Sequence, residues 1–296
     1  MKIGFAGLGH MGAEIARHLL LKNGQLTVWN RTKGKAEELA EEGATPAESL
    51  DTLMAGEIVF SMLPDDQAIE ETLLRPGVFD KARSGIIHVN LSTISPGFAS
   101  RLAEHHRTKG QKYVSAPVLG RPEVARAGQL TIVAAGDLDA LESIRPLLDS
   151  FGRKTWTLGA VAEKANVVKL ANNLMLAAAV ESMSEASALV GGYGLDAGRF
   201  LEITNSGPFA CPVYQQYGKA IASEAFEPAG FSVRLGAKDV RLGLAAGESA
   251  NVPMPMFSVV RDGLLEAVAM GDEAKDLAVL GRVARARAGR NSGVTG

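Results

Sequence analysis

The stretch KIGFAGLGHMG, residues 2–12, decides the fold of this chain. Its first five residues have the composition of a short strand, and an apolar helical pattern follows from Ala13 to Leu21. The glycines between them have G-x-G-x-x-G spacing: the first permits a tight turn, the second lets a pyrophosphate approach, and the third lets the helix pack closely on the strand. This order of strand, turn and helix predicts a dinucleotide site, to which we assign Gly7, Leu8, Gly9, His10 and Met11.

The end of the second predicted strand, residues 26–30, has no acidic residue where a chain that binds NAD usually holds the ribose hydroxyls. Arg31 and Lys35 stand there instead, and they could hold a 2′-phosphate through charge-assisted hydrogen bonds. The alternative is that both are surface charges that open the next helix. We predict NADP(H) as the cofactor, with Asn30, Arg31, Thr32 and Lys35 around its 2′-phosphate.

Strand-like and helix-like segments alternate as far as Gly159, which predicts a mostly parallel sheet covered on both faces, as in a Rossmann-type α/β domain. Residues 58–63 and 86–91 are nearly continuous apolar runs, typical of strands buried on both faces. Open α/β sheets bind ligands beyond the carboxyl ends of their strands. We therefore assign Met62, Leu63, Pro64 and Thr93 to the cofactor cleft, whereas Ser95 before Pro96 has the positions of a helix cap.

After Gly159 the pattern is helical almost throughout, and residues 159–192 predict one long helix as the spine of a second domain. Its polar residues Asn166, Lys169 and Asn173 fall on one stripe, and apolar residues fill most of the remaining circumference. We therefore expect a helix buried on nearly every side. A buried ammonium needs a partner or a use, although Lys169 could instead extend along its stem to the surface.

The size of the chain, 296 residues, is sufficient for two domains, which we place at residues 1–160 (NADP-binding, Rossmann) and 161–296 (helical, substrate-binding and dimerising). A domain built round one apolar helix commonly buries its remaining apolar surface against a second copy. We expect a homodimer or homotetramer.

Composition excludes several classes of protein. The single cysteine, Cys211, cannot form an internal disulfide and fits a reducing, cytoplasmic location. A net charge of -2 provides no broad positive field for nucleic acid, so Arg282, Arg285, Arg287 and Arg290 are expected to form a solvated tail. No apolar segment is expected to approach the length of a membrane span, and no cysteine and histidine cluster predicts a metal site.

Separated motifs over almost the whole chain resemble the β-hydroxyacid dehydrogenases. The glycine turn resembles the G-x-G-x-M-G cofactor signature of that family, Asn30-Arg31-Thr32 its NADP-preferring branch, and residues 91–96 the segment beside nicotinamide and substrate. Residues 169–173, KLANN, are similar to its catalytic motif. The resemblance implies that Lys169 is the general acid/base, that Asn173 orients the substrate, and that Lys238 lies on the cofactor side, fixed by Asp239.

One motif departs from the family. Residues 115–121, SAPVLGR, stand where the family typically has Asp-Ala-Pro-Val-Ser-Gly-Gly, a loop that receives the substrate carboxylate. Thr93, Leu119, Gly120 and Arg121 are our candidate substrate-binding residues, and Arg121 could equally be structural. The resemblance implies a small carboxylate-bearing aldehyde or hydroxy acid as substrate. The alternatives are an imine reductase, against which Lys169 argues, and a non-catalytic dinucleotide-binding module.

Overall fold

The computed structural model describes residues 1–290. The chain divides into two compact units, Met1–Lys169 and the residues from Leu170 onward. The first unit is a sheet covered by helices, and the second is helical. These are the two architectures that the sequence predicts, and the division lies within the long helix rather than at its start near residue 160.

The strands of the first unit follow one another across a single sheet in the order β3-β2-β1-β4-β5-β6-β8-β7, and β9 pairs with β8. Pairing is parallel except where β8 runs against β6 and β7. Their bounds are β1 Ile3–Ala6, β2 Thr27–Trp29, β3 Thr45–Pro46, β4 Ile58–Ser61, β5 Ile87–Asn90, β6 Lys112–Ser115, β7 Val118–Leu119, β8 Leu130–Gly136 and β9 Gly152–Thr157.

Alternate residues of the central strands enter different cores, because successive side chains of a strand point to opposite faces. Phe5 and Phe60 belong to one hydrophobic cluster, and Ala6 and Val59 belong to the other. The covering helices are α1 His10–Asn23, α2 Gly34–Glu41, α3 Leu50–Met54, α4 Asp66–Thr72, α5 Pro96–Thr108, α6 Pro122–Arg126 and α7 Leu138–Leu148. Burial on both faces explains the continuous apolar runs that predicted these strands.

The strand order places β2 on one side of β1 and β4 on the other, so the chain runs outward from β1 to β3 and then crosses back to continue on the opposite side of β1. Such a switch point forms a crevice at the carboxyl ends of the strands, where doubly wound folds bind dinucleotides. The glycine turn follows β1 and therefore lies at this crevice. This order confirms the predicted Rossmann-type fold.

The second unit is built from helices around one core. Their bounds are α8 Glu163–Gly192, which begins in the first unit, α9 Ala197–Asn205, α10 Pro212–Ser223, α11 Val233–Ser249, α12 Pro255–Ala269, a 3-10 turn Leu277–Val279 and α13 Leu280–Arg287. α8 contributes Leu174, Ala177 and Val180 to this core. The predicted spine helix is thus present.

The expectation that α8 is buried on nearly every side was wrong for the single chain. Met175 and Leu189 are 71% and 64% exposed, and Val167 and Val168 are also exposed. The other helices cover only part of its circumference, so one apolar stripe remains on the surface.

Among residues 1–290, one helix is long and apolar enough to cross a membrane by length and composition alone. It is α8, in which an 18-residue window has a mean hydropathy of 1.3, and 39% of that window is buried. The expectation that no apolar segment approaches this length was therefore wrong. The core helix of a folded domain passes the same test. Asn166, Asn173 and Glu181 of α8 are buried, and buried polar residues are rare in membrane-spanning helices.

The arginines near the end of the chain do not form a solvated tail, as the sequence had suggested. Arg285 pairs with Glu224 at 2.6 Å, Arg287 pairs with Glu181 at 2.9 Å, and Arg282 pairs with Asp272. Glu181 and Asp272 are buried, and burial raises the pKa of Glu181 although Arg287 opposes it. Arg282 and Arg287 attach α13 to the helical unit because each meets a buried carboxylate, whereas Arg285 meets the exposed Glu224.

Candidate cofactor and active site

The glycine turn has the geometry that its sequence predicts. Gly7 has φ +98°, and a side chain there would lie 2.3 Å from the Met62 carbonyl oxygen at the end of β4. A side chain at Gly12 would lie 2.0 Å from the Gly7 carbonyl oxygen. Position 9 differs, because a Cβ on Gly9 would meet no atom within 4 Å.

The turn and α1 fit the diphosphate of a dinucleotide. Gly9 is the N-cap of α1, and it caps the helix without a side-chain hydrogen bond. The backbone N–H groups of the first helical turn therefore face the open space beside Gly9, where the helix dipole favours an anion. Any side chain at position 9 would enter that space.

Two substitutions separate these roles of the glycines. Gly9→Ala is expected to leave the unfolding temperature within about 2 °C of wild type and to weaken dinucleotide binding about tenfold, because the methyl group enters only the ligand space. Gly12→Ala should lower the free energy of unfolding by about 3 kcal/mol through its backbone clash. Thermal unfolding and titration calorimetry measure both effects. Equal loss of stability in the two variants would contradict this assignment.

Asn30 attaches the glycine turn to the end of β2. Its Oδ1 accepts a hydrogen bond from the Leu8 N–H at 2.9 Å, and its Nδ2 donates to the Thr32 carbonyl at 3.0 Å. Leu8 is fully buried. Asn30 and Leu8 therefore shape the turn, whereas the exposed Arg31 and half-buried Lys35 form no ion pair with any carboxylate of residues 1–290.

The ends of β4 and β5 lie side by side, as the sequence predicts. Ser61 pairs with Asn90 at the last position of the ladder. Beyond this pair, the Leu63 N–H donates to Ser92 Oγ at 2.8 Å. The predicted cofactor residues Met62, Leu63 and Pro64 follow β4, and Thr93 follows β5. Thr93 and Met62 are half-buried and Pro64 is exposed.

The loop after β6 is packed more tightly than its family pattern suggests. Leu119 lies in β7 opposite Thr131, and its side chain packs with Val133, Ala135 and Ala165. Gly120 has φ +146°, and Arg121 is the half-buried N-cap residue of α6. The Leu119 side chain thus replaces a hydroxyl by core packing, and the Leu119 backbone, Gly120 and Arg121 remain our candidates for the substrate carboxylate.

Ser115 opens the same motif and is joined to the start of α8. Its hydroxyl donates to Asn166 Oδ1 at 2.5 Å, and both residues are buried. This bond satisfies the side-chain oxygen of Asn166, the first polar residue of the α8 stripe, since a buried polar atom requires a hydrogen-bond partner.

Lys169 is half-buried on α8, and Asn173 lies one turn later on the same face of that helix. In the helical unit, Asn173 Nδ2 donates to Asp239 Oδ2 at 2.5 Å, and Lys238 Nζ lies 3.0 Å from Asp239 Oδ1. Asp239 is 3% exposed. The resemblance implies that Asp239 fixes Lys238. In the structure the Asp239 carboxylate contacts the ammonium of Lys238 and also fixes the amide of Asn173.

A buried chain of hydrogen bonds in the first unit was missed in the sequence. Ser61 Oγ lies 2.8 Å from His88 Nε2, His88 Nδ1 lies 2.9 Å from His106 Nε2, and His106 Nδ1 lies 2.9 Å from Gln111 Oε1. The Gln111 amide donates to the Phe79 carbonyl, so its oxygen must accept from His106. Each neutral histidine then donates through Nδ1 and accepts through Nε2. The only sequence feature that indicated this chain of hydrogen bonds was His88 within an apolar strand, and a single histidine in a strand does not by itself predict a hydrogen-bond partner.

Acid should destabilise the first unit through these histidines. Burial lowers the pKa of His106 to about 4, and the nearby His105 and Lys109 contribute to this effect. Burial also lowers the pKa of His88 well below its usual range, and the neighbouring His106 and His105 act in the same direction. The unfolded chain binds these protons near pH 6.5, so stability present above that pH is lost as the pH falls towards 4. His106 alone accounts for about 3 kcal/mol.

Urea unfolding between pH 7.5 and 4.5 measures this loss. His106→Phe should have lower stability at neutral pH but a flatter dependence on pH, because one titrating group has been removed. His10→Asn, at an exposed position, is the matched control and should keep the wild-type slope. An unchanged slope in His106→Phe would exclude His106 as the source.

Comparison with known proteins assigns both units to one family. Residues 2–159 match the model of the NAD-binding domain of 6-phosphogluconate dehydrogenase, and residues 164–284 match that of the NAD-binding region of NADP-dependent 3-hydroxyisobutyrate dehydrogenase. The chain is similar to 3-hydroxyisobutyrate dehydrogenase of Salmonella typhimurium, with a TM-score of 0.85 and 20% identity over 96% of this chain and 99% of that one. This last likeness shows the fold.

Three relatives have higher identity. The chain is 39% identical to the uncharacterized oxidoreductase YfjR of Bacillus subtilis (95% of this chain, 98% of the relative) and 31% identical to glyoxylate/succinic semialdehyde reductase 1 of Arabidopsis thaliana (92% and 94%). It is 32% identical to the cytokine-like nuclear factor N-PAC of Xenopus tropicalis, of which it spans about half (95% and 53%).

The fold, the glycine turn and these matches define an oxidoreductase that binds a nicotinamide dinucleotide. The chain belongs to the β-hydroxyacid dehydrogenase family.

Proposed function

We propose that this protein uses NADP(H) to interconvert a small β-hydroxy acid, or a 2- or 4-hydroxy acid, and its aldehyde or keto acid. The observation that supports this proposal best is the Asn173 amide, which a buried carboxylate holds in one orientation one helical turn after Lys169. A cationic donor on the same helix face as an amide of fixed orientation suits a substrate oxygen that gains charge during reduction.

The nicotinamide supplies the hydride in the reductive direction. Lys169 would donate a proton to the carbonyl oxygen of the substrate as negative charge develops there, and accept it in the reverse direction. Asn173 would orient the substrate hydroxyl. Asp239 accepts one of the two Nδ2 hydrogens, and Oδ1, which accepts from Asn172 Nδ2 at 3.3 Å, has a second lone pair for the substrate. Thr93, the backbone of Leu119 and Gly120, and Arg121 are proposed to receive the carboxylate.

The preference for NADP(H) over NAD(H) is supported by the charges after β2. Arg31, Lys33 and Lys35 bring positive charge to the end of this strand, and no acidic residue of segment 30–36 opposes them. The diphosphate and the adenosine ribose would lie between α1 and this segment. Because Asn30 is engaged with Leu8 and Thr32, the contacts to a 2′-phosphate fall to Arg31, Thr32 and Lys35.

A homodimer, or a homotetramer built from it, is supported by exposed apolar side chains of the helical unit. Met175 of α8 and Met256 and Leu265 of α12 are 71%, 56% and 55% exposed. Large exposed apolar areas mark interfaces between proteins. We also propose a cytoplasmic location, because the single cysteine requires no oxidising compartment.

Sedimentation velocity tests the assembly. Met175→Glu combined with Leu265→Glu should shift wild-type dimers to monomers, because two charges per subunit would be buried without partners. Leu21→Glu is the matched control, since Leu21 is 82% exposed on α1 of the first unit. A wild-type monomer at micromolar concentration would contradict the proposed assembly.

A spectrophotometric screen tests the reaction. NADPH oxidation is followed with glyoxylate, succinic semialdehyde, methylmalonate semialdehyde and tartronate semialdehyde, and it is repeated with NADH. We expect turnover of at least one of them with NADPH. NADPH binding without turnover on any substrate would favour the two alternatives, an imine reductase or a non-catalytic dinucleotide-binding module, and adding a cyclic imine to the screen separates them.

A further inference from the structure

The turns that follow β4 and β5 are joined by side chains where the ladder of the sheet has ended. The last paired residues are Ser61 and Asn90, and the Leu91 N–H still donates to the Ser61 carbonyl. Beyond that point, a hydroxyl replaces the backbone: Ser92 Oγ accepts from the Leu63 N–H at 2.8 Å.

Ser92 is itself held from behind. Its N–H donates to Asn90 Oδ1 at 2.9 Å, and Asn90 Nδ2 donates to the Tyr113 hydroxyl at 3.2 Å, which fixes which way the Asn90 amide points. Asn90 is fully buried and Ser92 is 1% exposed. The bond to Leu63 therefore starts from a rigid group that water does not reach.

A second connection lies three residues further along each turn. Asp66 accepts two hydrogen bonds from Ser95, one from its N–H at 2.9 Å and one from its hydroxyl at 2.5 Å. The Ser95 hydroxyl oxygen also accepts from the Phe98 N–H, and so caps α5. A carboxylate that accepts two hydrogen bonds from one residue fixes both distance and direction.

These two connections, Leu63–Ser92 and Asp66–Ser95, form a clamp around the predicted cofactor residues. Met62, Leu63 and Pro64 lie on one turn, and Thr93 lies between Ser92 and Ser95 on the other. The glycine turn touches the first of these turns, since Gly7 approaches the Met62 carbonyl. Because β2 lies on the adenosine side of β1, the turns after β4 and β5 lie towards the nicotinamide half of a dinucleotide.

We propose that Ser92 and Asp66 are positioning residues, which hold the two turns at the separation that the nicotinamide half of the cofactor requires. The proposal rests on the proposed use of a nicotinamide cofactor. It assigns neither residue to the chemical step. The sheet is complete before the clamp begins, so loss of the clamp should loosen the turns and leave the fold intact.

The test compares two ligands that share the adenosine half. NADPH contains the nicotinamide riboside and 2′,5′-ADP does not. If the wild-type protein binds NADH more tightly than NADPH, the pair NADH and ADP is used instead of the pair NADPH and 2′,5′-ADP. Ser92→Ala and Asp66→Ala should each weaken NADPH binding about tenfold, because a buried N–H or two donors lose their acceptor. Binding of 2′,5′-ADP should change by less than twofold. Titration calorimetry gives both dissociation constants without any substrate.

Matched variants separate positioning from general loss of structure. Ser184→Ala is the control for Ser92→Ala: Ser184 is also buried, and its hydroxyl donates to the Val180 carbonyl of α8. Ser49→Ala removes the N-cap residue of α3 and is the control for Ser95→Ala, which removes the N-cap residue of α5. Ser184→Ala and Ser49→Ala should leave the ratio of the two dissociation constants unchanged. Ser95→Thr, which keeps the hydroxyl, should restore the ratio that Ser95→Ala loses. If Asp66→Ala does not fold, Asp66→Asn is expected to give a smaller change in the same direction.

The outcomes are distinguishable. Equal weakening of both ligands by the clamp variants, or no change in either, would overturn the clamp while leaving the proposed function in place. A wild-type protein that binds neither NADPH nor NADH would overturn both.

Discussion

Replacing Lys169 by alanine is expected to lower kcat for the NADPH-dependent reduction by about 10²- to 10⁴-fold, the contribution of a positioned general acid. The dissociation constant for NADPH should stay within about threefold of wild type, because the glycine turn and the end of β2 hold the cofactor. Steady-state kinetics at saturating NADPH and substrate measures the first quantity, and titration calorimetry measures the second.

Two further variants decide what Lys169 contributes. Lys169→Arg keeps the positive charge and cannot release a proton near neutral pH, so it should be nearly as inactive as the alanine variant if proton transfer is the role. Lys164→Ala removes an exposed lysine five residues earlier on α8 and should have wild-type kcat. Near-normal turnover in Lys169→Ala would remove this residue from the mechanism.

The preference for NADPH should depend on Arg31 and Lys35. The double variant Arg31→Ala/Lys35→Ala is expected to weaken NADPH binding roughly 10–100-fold, because each charge-assisted hydrogen bond to the 2′-phosphate is lost, and to change NADH binding by less than threefold. The wild-type preference should also fall as salt is raised from 0.05 to about 0.5 M, since both side chains are accessible to solvent.

A charge-matched control accompanies that experiment. Lys22→Ala/Lys219→Ala removes two exposed lysines, one in the last turn of α1 and one on α10 of the helical unit, and should leave both dissociation constants unchanged. Equal weakening of NADPH and NADH in the Arg31 and Lys35 variant would mean that these side chains hold the diphosphate or the fold. A wild-type protein that prefers NADH would contradict the predicted cofactor specificity outright.

Local patterns were sufficient for the architecture and for the position of the cofactor turn. The glycine spacing of residues 7–12 fixes where a backbone can bend and where a helix can approach a strand, so it specified the β1 turn before any coordinates. The apolar runs of β4 and β5 likewise predicted strands buried on both faces, because composition alone carries that information.

Contacts between distant residues were beyond the reach of the sequence. The sequence did not show that the side chain of Asn30 bonds to Leu8, or that Ser95, which was assigned as a helix cap, also pairs with Asp66. The same limit explains the errors over α8 and the arginines of α13. A helical wheel shows which residues share a face, but which neighbour covers that face depends on packing.

The sequence by itself determined the fold class, the glycine turn, the order of the two architectures and the candidate residues Lys169 and Asn173, because these depend on short-range periodicity and on backbone freedom. Only the tertiary structure decided that Asp239 orients Asn173, that the buried His88 and His106 are hydrogen-bonded to each other, and that Ser92 and Asp66 join two turns. The bonds Asn173–Asp239, His88–His106, Leu63–Ser92 and Ser95–Asp66 each join residues at least 18 positions apart in the chain, and no local pattern records such a pairing.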